Sequence, residues 1–187
     1  MENQKKSKKK IALFGTLKIM VAVSLLVAMS IILGKYLAIN VGEVLRFSFE
    51  NLALILAGIA FGPIIGLVAG VAADLIGCVL VGYAVNPIVT LGAAAIGFLS
   101  GAVYLLLKKT GLPYWAKTSV TVFVAHAVGS VIIKTFGLAT FYDMPFLVLM
   151  LWRALNYLLI GGVECVLIYF VMKNKSVRSQ FDFLKRG

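Results

Sequence analysis

The sequence predicts an all-α membrane protein, a compact bundle of six transmembrane helices, and three observations predict it. The chain is 61% hydrophobic and only 13% charged, with a mean hydropathy of +1.03, whereas a soluble domain is about half apolar and a quarter charged. Its apolar residues gather into runs close to the roughly 20 residues that a helix needs to cross hydrocarbon. Basic clusters bound those runs: Lys5 to Lys10, then Lys108, Lys109 and Lys117, then Lys173, Lys175, Arg178, Lys185 and Arg186. Six spans bring every cluster to one side, the pattern of a cytoplasmic face. The formal charge of +11 is therefore explained by topology, and no nucleic-acid partner is expected.

The first run, Leu17–Tyr36, follows a basic stretch as a signal peptide would. It is long enough to span and lacks an A-x-A-like cleavage site, so a retained helix is expected. Phe47–Phe61 is short for a span and needs shielding by its neighbours or by the preceding loop. Gly62 and Pro63 mark a tight turn, since Gly tolerates unusual backbone angles and Pro suits a first helical turn. Pro63–Val81, Val85–Leu107, Ala116–Phe136 and Pro145–Met172 complete the set. The remaining connections are Leu37–Arg46, Gly82–Ala84, Lys108–Trp115 and Gly137–Met144. This organisation predicts a basic cytoplasmic segment over 1–16, a transmembrane domain over 17–172 and a basic cytoplasmic tail over 173–187, in a multi-pass protein of the cell membrane. Gly62, Gly66 and Gly70, and likewise Ala93, Gly97 and Gly101, recur every four residues, which lets helix backbones approach closely. Cys78 and Cys165 lie in apolar segments and read as reduced, buried thiols.

Six titratable residues sit inside or at the mouth of these runs: Glu50, Asp74, His126, Lys134, Arg153 and Glu164. A charge at a helix centre costs about 2.5–3.5 kcal/mol on insertion scales, so each must face protein or a polar cavity. Arg153 and Asp74 lie roughly 12 Å below the outer ends of their helices. Arg46 and Glu50 enter from the same side, and Lys134 is expected within one turn of its helix's outer end. His126, Ser130 and Lys134 share one helix face; Arg153, Asn156 and Glu164 lie close to another. Phe47, Phe49, Tyr83, Phe141, Tyr142 and Trp152 cluster at the outer ends. Aromatic walls with a few placed polar groups suit a planar organic ligand, and Arg46, Lys134 and Arg153 suit carboxylates. Other readings of single residues stay open. The aromatics also fit an interfacial belt, Lys134 a snorkelling lysine, Asp74 with Arg153 a structural ion pair, and His126 and Glu164 bundle architecture.

Catalytic signatures are missing from the sequence. One histidine cannot supply H-E-x-x-H, no G-x-S-x-G or Walker A pattern occurs, and His126 with Ser130 is the one nucleophile and base pair on offer. No cofactor or metal is expected.

Arg46-Phe-Ser-Phe-Glu50, Leu-Ala-Gly-Ile-Ala-Phe-Gly-Pro63 and Gly-Leu-Val-Ala-Gly-Val-Ala-Ala-Asp74-Leu-Ile-Gly77 together resemble the S components of energy-coupling factor vitamin transporters, most closely the folate-specific ones. The resemblance spans nearly the whole chain. It implies a subunit that binds its vitamin from outside, docks a membrane coupling subunit carrying two cytoplasmic ATPases, and reorients to release substrate inward. It also implies docking through a small-residue A-x-x-x-A motif on the first helix, which here reads Ser24-Leu-Leu-Val-Ala28. For folate, Tyr83, Asn86, Asp74 and Asn156 are candidates for the pterin ring, and Arg46, Lys134 and Arg153 for the glutamate carboxylates. Phe49, Glu50 and Tyr142 complete the expected site. Leu37–Arg46 and Gly82–Asn86 are the candidate gates. Three rivals remain: an S component for riboflavin, thiamine or a queuosine precursor; an intramembrane enzyme; and a purely structural subunit.

Overall fold

A computed structural model describes residues 17–41, 45–177 and 179–180. The basic segment predicted over 1–16 and the last residues of the tail lie outside the described residues. Among the described residues the chain forms six helical segments. Helix α1 runs Leu17–Ile31 and continues as a wider i→i+5 π stretch over Ile32–Tyr36. Two short antiparallel strands follow, β1 Ile39–Val41 and β2 Leu45–Phe47, in the register Ile39↔Phe47, Asn40↔Arg46 and Val41↔Leu45. Then come α2 (Glu50–Phe61), α3 (Pro63–Val81) and α4 (Pro87–Lys108). Helix α5 has three consecutive stretches: Tyr114–Ala125, a π segment His126–Ile133, and Lys134–Tyr142. Helix α6 is Phe146–Lys173.

The helical fold agrees with the sequence, with three differences that matter for the site. The loop expected over Leu37–Arg46 is a hairpin, and it draws Phe47 into β2, so α2 starts three residues late, at Glu50. Helix α4 starts at Pro87 because Asn86 caps it: Asn86 Oδ1 accepts from the backbone N–H of Ile88 and Val89 at 3.0 and 3.3 Å. Helix α5 does not stop at Phe136. Gly137 lies against the Ile88 and Val89 side chains, so this glycine serves close packing, and the helix runs on to Asp143, a left-handed C-cap with φ 54°.

Four helices, among them α3 and α4, and the continuous α1 run are long and apolar enough to cross a bilayer. The twelve-residue α2 is shorter, at about 18 Å, and its shielding is explicit: residues 53–60 are all buried, Ala53, Ile55 and Ala57 completely. Helix α4 supplies much of that cover, packing against α2, α3 and α5. The small-residue stripes make this possible. Gly66 and Gly70 of α3 face the backbone of Gly97 and Ala93, and Gly101 faces Gly62 and Pro63. The turn between α2 and α3 has Gly62 at φ 99° with Pro63 in the first helical position.

Candidate functional site

Four charged side chains meet toward the end of the bundle that carries the β1 and β2 strands: Lys35 from the π end of α1, Glu50 from the first turn of α2, Asp74 from α3 and Lys134 from α5. Lys134 Nζ donates to Glu50 Oε1 at 2.7 Å. Thr90 Oγ1 donates to Asp74 Oδ2 at 2.6 Å, and Ser30 Oγ donates to the Glu50 carbonyl at 2.8 Å. Each of three charged stems lies over a glycine of a neighbouring helix. A Cβ on Gly34 would collide with Glu50, one on Gly77 would press on Lys35, and one on Gly92 would collide with the Lys134 stem. The notches let long side chains cross a neighbouring helix and bring their heads together. The space among them is ≈ 10 Å³, about the least that holds one water molecule.

A second polar network lies deeper and joins α2, α5 and α6. Arg153 donates from Nε and Nη2 to the Ser130 carbonyl at 3.2 and 3.1 Å, within the π segment where regular i→i+4 pairing is interrupted. Its guanidinium sits 5.3 Å from the Tyr157 ring centre, and that ring stacks on His126 at 4.8 Å. His126 Nδ1 lies 3.2 Å from Ser130 Oγ, and Nε2 lies 2.5 Å from Glu164 Oε2. Asn51 Nδ2 donates to Ser130 Oγ at 3.3 Å.

The structure thus brings together Glu50, Asp74 and Lys134 of the residues singled out in the sequence, with Arg153 in the adjoining network. Asp74 and Arg153 do not form the ion pair that the sequence allows, since each has another partner. Lys134 is not a snorkelling lysine: because α5 continues to Tyr142, it lies two turns from the C-terminal end of that helix and is buried. Asn86 is buried, and its amide is committed to the α4 cap and to the Gly137 carbonyl at 2.8 Å. Tyr83 is exposed beside the cluster with Lys35 Nζ 5.4 Å from its ring centre. Phe49 is half-buried at the start of α2, and Asn156 is buried on α6. The side chains of Arg46 and Tyr142 lie outside the described part of the structure. Sequence reasoning missed Lys35, Thr90 and Ser30. Lys35 carried a usable signal, a lone cation at the C-terminal end of the first apolar run; Ser30 and Thr90 carried none.

A larger space, ≈ 500 Å³, lies elsewhere: an apolar groove between α1 and α3. Ser24 and Ala28 line it on α1, opposite Val68, Ala69 and Ala72 on α3.

Comparison with known proteins accords with this architecture. Residues 18–172 match the profile of the family described as ECF transporter, substrate-specific component. No curated protein sequence matches significantly. Among solved structures, the chain resembles FolT bound with folic acid (TM-score 0.68, 20% identity, covering 83% of this chain and 92% of that one). It also resembles the S component of a bacterial ECF transporter (0.60, 17%, 84% and 96%) and the S component for biotin from an ECF-type ABC transporter (0.63, 18%, 97% and 99%). At these identities the structural likenesses establish the fold, whereas the sequence profile covers most of the chain and establishes more: this protein belongs to the family of substrate-specific components of ECF transporters, and is a multi-pass membrane subunit that binds a transport substrate rather than an enzyme.

Proposed function

We propose that the chain is the high-affinity folate-binding subunit of its transporter. It captures the vitamin from outside and delivers it inward when docked to a coupling subunit with two cytoplasmic ATPases. Both termini face the cytoplasm of a cell membrane, as the basic clusters favour. The observation that carries the substrate is the charged cluster in the outer half, where buried Lys134 meets Glu50 next to Asp74 and Lys35; the likeness to a folate-bound neighbour supports it. Lys134, Arg153 and Arg46 are proposed for the glutamate carboxylates, and Asp74, Asn156 and Tyr83 for the pterin. Asn86 contributes by fixing the outer end of α4 against α5. The cluster leaves only ≈ 10 Å³ between its side chains, so binding requires it to widen, and the β1–β2 hairpin with the Gly82–Asn86 turn is the proposed gate.

Calorimetry on purified protein tests this, with folate, riboflavin and thiamine titrated in parallel. Heat is the better readout because Trp115 and Trp152 are both exposed on the apolar surface. Saturable binding of folate alone is expected, and Arg153→Ala should weaken it by about tenfold to a hundredfold, the loss of one charge-assisted contact. Tight binding of a different vitamin would replace the substrate, and binding of none would return the structural-subunit reading.

The groove between α1 and α3 is the proposed seat of the coupling subunit, since the small residues Ser24 and Ala28 leave room for a partner helix. Ala28→Trp should fill it. Folate binding by the isolated chain is expected to be unchanged, while co-purification with the coupling subunit and cellular folate uptake are lost. Uptake at the parent rate would remove the groove from the docking surface.

A further inference from the structure

We propose that Glu50 is an internal stand-in for the ligand: on binding, Lys134 exchanges the Glu50 carboxylate for an anionic group of the substrate. The site thereby selects a carboxylate-bearing ligand and rejects a cationic one. The inference rests on the vitamin-binding reading above and deepens it by fixing the sign of the charge that the substrate must carry.

The cavity holds only ≈ 10 Å³, so a ligand has to part the groups that line it, and the Lys134–Glu50 pair joins α5 to α2 across that lining. The two partners are unequally placed. The Lys134 side chain is 5% exposed and the Glu50 side chain 22%. The Lys134 stem is held against Gly92 two turns from the C-terminal end of α5. Glu50 stands in the first turn of α2, directly after the hairpin. As the cavity opens, Glu50 is the member that can turn to water. Lys134 cannot follow, and a buried charge stripped of its partner is strongly disfavoured. What enters must bring negative charge to it.

Charge balance gives the same answer. The lining holds two cations, Lys35 and Lys134, and two anions, Glu50 and Asp74. With Glu50 turned out, two lysines face Asp74 alone. An entering carboxylate restores neutrality; an entering ammonium or thiazolium worsens the imbalance.

Two measurements on the full chain test the exchange. In calorimetry, Glu50→Gln removes the competing charge at nearly constant shape and is expected to bind folate at least tenfold more tightly than the parent. Lys134→Met is expected to lose at least a hundredfold. Weaker folate binding by folded Glu50→Gln would overturn the proposal, because Glu50 would then be a ligand contact. If Glu50→Gln is not recovered folded, Glu50→Asp shortens the side chain, weakens the pair and should shift affinity in the same direction. Biotin and thiamine serve as further probes. A parent that binds biotin instead of folate, with Glu50→Gln tightening it, would end the folate reading and uphold the exchange; a parent that binds thiamine would overturn the exchange itself. The second measurement uses no vitamin. Ala73→Cys, in a Cys78→Ser, Cys165→Ser background, places a thiol on the cavity wall for a water-soluble methanethiosulfonate reagent. Glu50→Gln is expected to raise its labelling rate several-fold, and an unchanged rate would overturn the pair as the element that holds the cavity shut.

Discussion

Replacing Gly97 with valine is expected to prevent α3 and α4 from closing. A Cβ at Gly97 would overlap the carbonyl group of Gly66, which is backbone and cannot rotate away. The helices must then separate, and the loss reaches beyond their contact. Helix α4 also covers α2, the span too short to stand in hydrocarbon by itself, and Gly58 of α2 touches the same stretch of α4 at Gly97, Ser100 and Gly101. Overpacking a filled interior costs about 1–3 kcal/mol, and a clash with fixed backbone belongs at or above the top of that range. Thermal unfolding in detergent should therefore show Gly97→Val far below the parent. Gly111→Val, where no atom lies within reach of an added Cβ, should leave it unchanged. Equal stability of the two variants would show that the stripe is incidental.

The close approach was legible in the sequence as two stripes of small residues at four-residue spacing, whereas the partner that each stripe meets was not. The number of spans was legible too, since hydropathy and basic clusters had to agree on a single topology. What was not legible came from groups whose partners lie far away along the chain. Gly137 looks like a helix stop, and only the packed Ile88 and Val89 side chains show why the helix passes through it. The hairpin escaped because its strands are three residues each, too short for alternation to emerge. The π stretches at Ile32–Tyr36 and His126–Ile133 have no compositional signature at all.

The site followed the same division. Glu50, Asp74 and Lys134 stood out because hydrocarbon makes any intramembrane charge informative. Their pairing did not, because Lys134 and Glu50 are 84 positions apart, and the depth of Lys134 depended on where α5 ends. Gly34, Gly77 and Gly92 belong to the site as much as the charges do, yet in a glycine-rich membrane chain nothing separates them from ordinary packing glycines.

His126 and Glu164 are where the sequence left architecture and chemistry least separated, and they support the second large expected effect. His126 is 2% exposed and Glu164 fully buried. Glu164 Oε1 has no hydrogen-bond partner among the described residues. Glu164 lies about 27 Å along α6 from Phe146, away from the residues that line the charged cavity. Glu164→Ala is expected to lower stability by about 1–3 kcal/mol, because it leaves the buried Nε2 of His126 without its partner. The double variant His126→Phe, Glu164→Leu removes both polar groups, and it should recover most of the loss, since a well-packed apolar replacement of a buried pair is often neutral. Folate affinity should survive in the double variant, for Arg153 keeps its contacts with the Ser130 carbonyl and the Tyr157 ring. Thermal unfolding and calorimetry on the same samples decide the matter. A folded double variant that no longer binds folate would make the network part of the binding machinery and not a brace between α5 and α6. A double variant as unstable as Glu164→Ala would mean that the polar chain from Asn51 through Ser130 to Glu164 specifies the packing itself.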